Sequence, residues 1–178
     1  QLELKKPWSY SALTAFETCP RRFELTRVTK QVVEPQTSAT LWGNKVHKAL
    51  EDYANGKKPL PVDMQSYGKY VQKIQSYEGK RIVEERPDSD QLKLFAALTF
   101  ALYPWVESVV TGFIWLKAEK FDKEVFTRAQ LPDIWNEFSP RLQRLAIAHE
   151  KDKWLPKPSG LCKNWCPVGR NLCEFCGK

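Results

Sequence analysis

The sequence predicts an α/β protein of the α+β kind, in which a small central mixed β-sheet is flanked by helices and followed by a cysteine-rich tail. Apolar residues recur at three- to four-residue spacing in several segments, while other segments are rich in β-branched and aromatic residues. In chain order the elements run helix, helix, helix, strand, helix, strand, strand, helix, which is typical of such a domain. We therefore expect one main domain over residues 1–155 and a tail over residues 156–178.

The helices are bounded by start and stop signals. Ser9 can cap the first helix and Pro20 can end it, and Pro104 ends the helix that begins near Asp88. Pro140 lies inside the last helical pattern, where we expect a kink or a restart. Helices are expected at residues 9–20, 41–53, 67–77, 88–103 and 133–153. In the last helix His149 is expected to be structural. The residues expected to face inward are Leu92, Phe95, Leu98, Thr99 and Leu102 in the fourth helix, and Trp135, Phe138, Leu142, Leu145 and His149 in the last.

Three segments have the composition of strands. Ile82 and Val83 form the apolar core of the first, and the second is rich in β-branched and aromatic residues, which indicates a buried strand. The third segment is expected to pair with the second as a hairpin. The first strand is expected at residues 80–85, the buried strand at 109–116, the hairpin turn at 120–123 and the partner strand at 124–128.

The helix over residues 41–53 carries His47, one of only two histidines in the chain. His47 lies beside the apolar stripe that we expect to face a core, and Glu51 lies one turn further on the same face. This spacing allows two side chains to share a ligand or a hydrogen bond, although a histidine at the edge of an apolar face is also commonly a packed core residue. The stripe consists of Trp42, Val46, Leu50 and Tyr53.

The charge and aromatic content suit a nucleic-acid partner. Lys and Arg number 28 against 21 Asp and Glu, which gives a formal charge of +7, and the chain contains seven tryptophans. Phosphates attract basic residues and aromatic rings stack on unpaired bases, although a basic soluble protein without such a partner has the same composition. No apolar run is long enough to span a bilayer and no secretory signal is evident, so we expect a cytoplasmic protein.

The cysteines form the strongest local pattern. Four of the five cysteines follow the spacing Cys162-x3-Cys166-x6-Cys173-x2-Cys176. Because the total of five is odd and four are crowded together, the pattern fits a metal site in a reducing compartment better than a disulfide framework. Four thiolates at this spacing can surround one tetrahedral zinc ion or hold an iron–sulfur cluster. The alternative is a tail of unligated cysteines.

Several motifs occur in an order that resembles a known family. They are Ser11-x-Leu13-x-x-Phe16-x-x-Cys19-Pro20-Arg21-Arg22-Phe23, Gly43-x-x-Val46-His47-x-x-Leu50-Glu51, and Asp90-Gln91-Leu92-x-Leu94-Phe95-Ala96, followed by the cysteine-rich tail. Together they resemble the RecB-like nucleases of the PD-(D/E)XK superfamily, in particular phage and CRISPR-adaptation exonucleases and helicase-associated nuclease domains with a cysteine cluster. The resemblance implies a DNA exonuclease that uses Mg²⁺ or Mn²⁺ in phage or bacterial replication or recombination.

The resemblance also implies roles for individual residues. His47 matches the family's histidine, a ligand of the divalent metal, and Gln91 matches the glutamine that follows the catalytic lysine. Phe95 stands where relatives often have a tyrosine. Cys19 matches an amino-terminal cysteine that joins three tail cysteines around a [4Fe-4S] cluster. A zinc site made of the four tail cysteines, with Cys19 an ordinary buried thiol, stays open.

The chain departs from the family in its catalytic carboxylates. Relatives have an aspartate on one strand and an Asp/Glu-x-Lys on the next, whereas here Glu84-Glu85 runs through Arg86-Pro87 directly into Asp88. Glu84 and Glu51 are the weaker carboxylate candidates that remain. Either the printed sequence omits a catalytic hairpin near residues 85–88 or the protein has lost catalysis, and the chain as printed is expected to be inactive. We favour the omission, because a sheet without its central strands leaves residues 109–116 unpaired.

Two functions from different classes follow from the resemblance. The first is a metal-dependent exonuclease acting on DNA with a single-stranded portion or end, with a possible replication or recombination partner, in a bacterial or phage-infected cell. The alternative is a catalytically inactive DNA-binding or scaffold relative. A third interpretation, an unrelated zinc-tail protein that binds another protein, predicts no salt-dependent DNA affinity. The residues expected to bind DNA phosphates are Arg21, Arg22, Lys45 and Lys48.

Overall fold

A computed structural model describes residues 8–76, 89–115 and 120–177 of the chain. The strand expected at residues 80–85, and with it Glu84, lies outside the described residues. The chain divides into two compact units, one formed by the segments up to Pro35 and from Leu131 onward, the other by the segment Gln36–Gln130. Among the described residues, no helix is long and apolar enough to cross a membrane. The boundary expected at residue 155 stays a prediction.

The first unit begins with a capped helix, as the sequence predicts. Helix α1 spans Tyr10–Thr18, and the Ser9 hydroxyl accepts a hydrogen bond from the Ala12 amide at 3.2 Å. Pro20 does not simply end the helical region. It begins a second short helix, α2, over Pro20–Phe23. Proline is tolerated there because the amides of a first helical turn have no partner within the helix. A π-helical turn over Glu24–Val28 follows.

The main later helix of this unit packs on α1. Helix α6 spans Leu131–Glu150 and continues through Pro140, so the helix does not restart there. Phe138 and Leu145 of α6 are buried, as expected. The Arg141 guanidinium binds both carboxylate oxygens of Glu17 on α1 at 2.8 Å, which fixes the two helices together. Three residues that were also expected to face inward are only half-buried, namely Trp135, Leu142 and His149.

The remaining part of the first unit is the tail. A short helix, α7, spans Leu161–Asn164 and contains Cys162, and the segment that follows it carries Cys166, Cys173 and Cys176. Val168 and Cys176 are buried and pack with Leu25 of the π-helical turn in one small apolar cluster. The tail is therefore attached to the amino-terminal segment by side-chain packing.

The second unit begins with three helical segments. Helix α3 spans Ser38–Ala54 and starts three residues before the predicted position, because the Thr37 hydroxyl caps it by accepting from the Thr40 amide at 3.1 Å. After the predicted loop, a 3₁₀ helix over Val62–Tyr67 leads into α4 at Gly68–Gln75. Helix α5 spans Ser89–Leu102, in agreement with the sequence prediction.

The strands of the second unit form one antiparallel pair. Strand β1 spans Ser108–Trp115 and strand β2 spans Lys120–Thr127, with Ser108 opposite Thr127 and Trp115 opposite Lys120. The hairpin and the α+β class are confirmed, but the expected mixed sheet is not, because the described strands are antiparallel. Residues 120–123 were predicted to be the turn and are part of β2 instead. Since β1 has β2 as a partner, the argument that a missing hairpin leaves this strand unpaired does not hold.

The expectation of a fully buried β1 is wrong. Val110 and Val125 face each other across the pair and remain 50% and 55% exposed. A two-stranded sheet that packs on α5 with one face leaves its other face without cover among the described residues. The composition of the strand predicted its conformation, and it could not predict how many of its faces are packed.

The buried face of α5 also differs from the predicted one. Leu98 and Leu102 were expected to face inward and are exposed, whereas Leu94, Ala97 and Phe100 are buried. Apolar residues occur all around this helix, so the spacing alone does not select one face.

Arg128 holds the end of α5 to the segment before β1. Its guanidinium donates to the carbonyl oxygens of Tyr103 at 2.8 Å and Val106 at 2.6 Å, and to that of Phe100 at 3.3 Å. These carbonyls lie at and just beyond the carboxyl end of α5, where helical partners are missing. The guanidinium carbon also lies 5.1 Å from the centre of the Phe100 ring. One side chain therefore fixes both the helix end and the start of the hairpin.

Replacing Arg128 with Ala should lower the free energy of unfolding by about 2 kcal/mol, because several hydrogen bonds from a charged donor are lost together. Urea denaturation followed by circular dichroism measures the difference. Lys45→Ala is the matched control, since its exposed ion pair with Asp63 at 3.5 Å should change stability by less than about 0.5 kcal/mol. Equal stability of the two variants contradicts the role given to Arg128.

Candidate functional site

His47 lies on α3 in the second unit, and its imidazole is half-buried. The neighbouring Val46 is fully buried and anchors this turn of the helix. The apolar stripe expected on α3 is only partly correct, because Trp42 is 43% exposed while Leu50 and Tyr53 are half-buried. His47 is thus at the edge of a packed face, which leaves part of its ring accessible.

Glu51 does not pair with His47, although the two lie one turn apart. Its carboxylate binds the Lys48 ammonium at 3.2 Å, and Lys48 also pairs with Asp52 at 3.1 Å. Within the described part of the chain, no hydrogen bond or ion pair joins Glu51 to His47. The hydrogen bonds to Asp52 and then to Glu51 raise the pKa of Lys48 above its ordinary value. A permanent ammonium competes more strongly for the carboxylate than an imidazole does.

Asp52 is a buried carboxylate that the sequence analysis did not select. Its side chain pairs with Lys48, and its backbone carbonyl accepts from the amides of Lys57 at 2.8 Å and Lys58 at 3.4 Å. The residue therefore holds the loop that follows α3. The sequence feature that could have predicted this ion pair is Lys48, four positions earlier, since this spacing brings opposite charges together on a helix.

The described residues do not fit a catalytic magnesium or manganese ion. No three side chains of His, Cys, Asp or Glu among them have the arrangement of a metal site. His47 offers one imidazole nitrogen, Glu51 is bound to Lys48, and Glu84 lies outside the described residues. Gln91 is on α5 and is buried, with Phe95 half-buried one turn later. The family's glutamine position thus belongs to the packed interior of the second unit.

The five cysteines converge in the first unit. They line one small cavity of about 10 Å³, called here the cysteine cavity, to which residues of α2 and of the tail both contribute. All five are free thiols. Spacing in the sequence groups only the four tail cysteines, whereas the fold adds the fifth. The cysteines of the cavity are Cys19, Cys162, Cys166, Cys173 and Cys176.

Backbone amides point at two of these sulfur atoms. The Lys157 amide donates to Cys19 Sγ and the Ser159 amide donates to Cys162 Sγ, each at 3.4 Å. Burial, together with hydrogen bonds and charge interactions involving Cys166 and Cys173, raises the pKa of Cys176 to about 12. The soft donor set suits zinc or an iron–sulfur cluster in its chemistry. The described cysteines do not have the arrangement of a metal site, so metal binding requires their side chains to rearrange.

The two arginines expected to bind DNA line the cysteine cavity and have partners within the protein. Arg21 binds Glu24 at 2.5 Å and donates to the Leu172 carbonyl at 3.4 Å, which connects α2 to the tail. Arg22 donates twice to one carboxylate oxygen of Glu34, at 2.9 and 3.2 Å. Their placement gives the cavity two positive neighbours that favour a negatively charged metal–thiolate group. Phosphate binding by them stays a prediction.

The two lysines expected to bind DNA lie on α3 beside His47, in the second unit. The ammonium groups of Lys45 and Lys48 are exposed and pair with carboxylates of the same unit. Exposed ion pairs of this kind contribute little and exchange readily for other anions. Phosphate binding by these lysines also stays a prediction.

An aromatic cluster supports the cysteine cavity. Trp154 packs against Phe16, Phe23 and His149, with ring centres 6.2, 5.8 and 4.7 Å apart. Its indole nitrogen donates to the Asp152 carboxylate at 2.7 Å. The cluster places the segment after Trp154 beside α1 and α2. His149 has the packed, structural position that the sequence analysis favoured for it.

Comparison with known proteins gives one family match. Residues 7–78 match the family model described as PD-(D/E)XK nuclease superfamily. The matched segment contains α1 to α4, including Cys19 and His47, and covers less than half of the 178-residue chain. It supports the superfamily and, in general, a nuclease-like function. No curated protein and no solved structure has significant similarity to the chain.

Trp154→Ala should destabilise the protein by about 3 to 5 kcal/mol, because it leaves a cavity in an aromatic cluster where Trp154 is 8% exposed. Thermal and urea denaturation measure the loss. Trp165→Ala is the control, since Trp165 is 75% exposed and its removal should change stability by less than about 0.5 kcal/mol. A small effect at Trp154 shows that the cluster does not hold the tail in place.

Proposed function

We propose that the protein is a metal-dependent DNA exonuclease of the PD-(D/E)XK type that hydrolyses phosphodiester bonds in replication or recombination. The observation that carries the proposal is the family match over residues 7–78, because the matched segment includes His47. The substrate proposed is DNA with a single-stranded portion or end, in the cytoplasm of a bacterial or phage-infected cell. A replication or recombination protein is the partner we propose.

His47 is the residue of α3 with the clearest place in this activity. Its neighbour Val46 is buried, so the helix turn is fixed while the imidazole stays partly accessible. A divalent metal, when bound, supplies an activated water and neutralises phosphate charge. Of the described residues, only His47 and Gln91 correspond to the family's catalytic set. The family's remaining ligands, an Asp on one strand and an Asp/Glu-x-Lys on the next, have no counterpart on the described strands.

The basic residues beside His47 support a DNA-facing surface. Lys45 and Lys48 are exposed on the same helix, and phosphate groups can replace their surface carboxylate partners. Gln91 is buried, which favours a role in holding neighbouring side chains over direct contact with DNA. DNA binding therefore rests on α3 more than on α5.

A second candidate is a non-catalytic DNA-binding or scaffold protein. The observation that favours it is that neither of the described strands, β1 and β2, contains an Asp/Glu-x-Lys triplet. Within the part of the chain that the structure describes, the missing ligands are not supplied by other carboxylates. This second candidate predicts that the protein binds DNA in a salt-dependent way and does not cleave it.

Cleavage assays separate the two candidates. End-labelled linear single-stranded DNA and a circle of the same sequence are incubated with the protein and Mg²⁺ or Mn²⁺. An exonuclease degrades only the linear DNA, and His47→Ala should lower the rate by about two orders of magnitude through loss of a metal ligand. Asn44→Ala, an exposed position on the same helix, is the control that should retain activity.

Each outcome of this assay has a clear meaning. Binding without cleavage by the unchanged protein supports the scaffold and overturns the exonuclease proposal. Cleavage that survives His47→Ala contradicts the assignment of His47. Intact mass of the natural protein complements the assay, since an excess of about two strands reveals an omitted hairpin.

We also propose that the cysteine cavity binds a structural metal centre, either one zinc ion or a [4Fe-4S] cluster. The support is the placement of five thiols around one cavity, two of them accepting backbone amide hydrogen bonds. The cavity of about 10 Å³ is close to the size needed by one small ion. A cluster requires its walls to move further apart. Such a centre joins the tail to the amino-terminal segment.

Metal analysis and visible absorption of the purified protein test this centre. One colourless zinc ion that is retained in Cys19→Ser identifies the four tail cysteines as ligands. A brown, iron-containing protein that loses its colour in Cys19→Ser identifies a cluster that includes Cys19. If the centre is zinc bound by the four tail cysteines, Cys166→Ser should lose the metal. Protein purified without oxygen that contains neither metal, and takes up neither on reconstitution, contradicts the proposal.

A further inference from the structure

A groove in the second unit takes no part in the sites described above. It has a volume of about 390 Å³, which is within the range of small-ligand sites. The end of α3, the loop after it, the 3₁₀ helix and the start of α4 form its walls. Its lining residues are Tyr53, Pro59, Leu60, Gln65, Gly68, Lys69 and Gln72.

The walls of the groove are fixed before any ligand arrives. The loop that carries Pro59 is held by hydrogen bonds from the Lys57 and Lys58 amides to the Asp52 carbonyl. Gly56 allows the turn, because its φ of +68° lies in the left-handed region that glycine adopts without strain. The Gln75 side chain donates to the Ala54 carbonyl at 3.4 Å, which connects α4 to the end of α3.

Gly68 lies against two of the lining side chains at the start of α4. A Cβ atom at this position would lie 3.4 Å from Leu60 Cδ1 and 3.9 Å from the Tyr53 hydroxyl. Both side chains therefore lie directly over the glycine. The Tyr53 ring forms one wall of the groove, with Pro59 also in the lining.

The chemistry of the lining suits a nucleotide. The Tyr53 ring and Pro59 offer flat apolar surfaces, and the amides of Gln65 and Gln72 can both donate and accept hydrogen bonds. Lys69 is the one charged residue among the described lining residues, and its ammonium lies 5.0 Å from the centre of the Tyr70 ring. Exposed Lys57 and Lys58 flank the groove. An aromatic surface beside positive charge is the usual means of binding unpaired bases.

We propose that this groove binds one nucleotide of a single-stranded DNA segment, with the base against Tyr53 and the phosphate at Lys69. This inference rests on the proposed DNA-directed function and adds a contact for the single strand outside the His47 region. The chemistry of the lining selects the occupant, since it combines an aromatic ring, two side-chain amides and a lysine. Such a site recognises the planar face of the base through Tyr53 and the backbone charge through Lys69, without selecting a base sequence.

Fluorescence anisotropy with a short labelled oligothymidylate tests the proposal on the full chain. Tyr53→Ala should weaken binding about tenfold, since stacking on one aromatic ring is lost. Tyr53→Phe retains the ring and should bind like the unchanged protein. Lys69→Gln should reduce the slope of log affinity against log salt by about 0.7, the value for one phosphate contact on a single strand. Lys151→Gln, an exposed lysine in the other unit, is the charge-matched control.

An abasic oligonucleotide of the same length separates stacking from general damage to the fold. The unchanged protein should prefer oligothymidylate to the abasic strand, and Tyr53→Ala should abolish that preference. Equal weakening toward both strands overturns the proposal, as does unchanged oligothymidylate binding in both Tyr53→Ala and Lys69→Gln. Absence of single-strand binding by the unchanged protein also overturns it. In each of these cases, His47-dependent cleavage of DNA leaves the proposed nuclease function standing.

Discussion

The packing of Trp154 against Phe16 and Phe23 is the contact on which the first unit depends. It joins the segment after α6 to the two helices at the start of the chain. The same region adds hydrogen bonds from Lys157, whose ammonium binds the Glu17 carbonyl at 2.8 Å and whose amide points at Cys19. The tail itself has few buried apolar residues, so this packing and the cysteines provide most of its attachment. This packing brings Cys19 beside the four tail cysteines.

Local structure was largely predictable from the sequence, because it depends on nearby residues. The Ser9 cap, the hairpin and α5 follow from capping, β-branched composition and helical spacing. The errors concern packing. The spacing of α5 could not choose among apolar residues that surround the helix, and the composition of β1 could not show that one face remains exposed. The segment 120–123 was interpreted as the turn between the two strands, whereas it forms the first half of β2.

The candidate sites show the same division. The grouping of four tail cysteines was visible in their spacing, but the contribution of Cys19 followed from family resemblance, since a contact across most of the chain has no local signal. The pairing of His47 with Glu51 was inferred from helical spacing, and the nearby Lys48 takes the carboxylate instead. Arg21 and Arg22 were interpreted as phosphate contacts, which stays a prediction, and the fold also places them in the lining of the cysteine cavity. The sequence shows that a side chain is charged, but it does not show whether its partner lies within the protein or on a ligand.

The division of the chain into units determines the order in which its parts become available during synthesis. The second unit occupies a continuous segment, while the first is made from segments on either side of it. The second unit therefore emerges from the ribosome before α6 and the tail do. Cys19 leaves the ribosome before the tail cysteines do, so the five thiols can line one cavity only after α6 and the tail have emerged. Assembly of the cysteine cavity is therefore a late event in the synthesis of this segment.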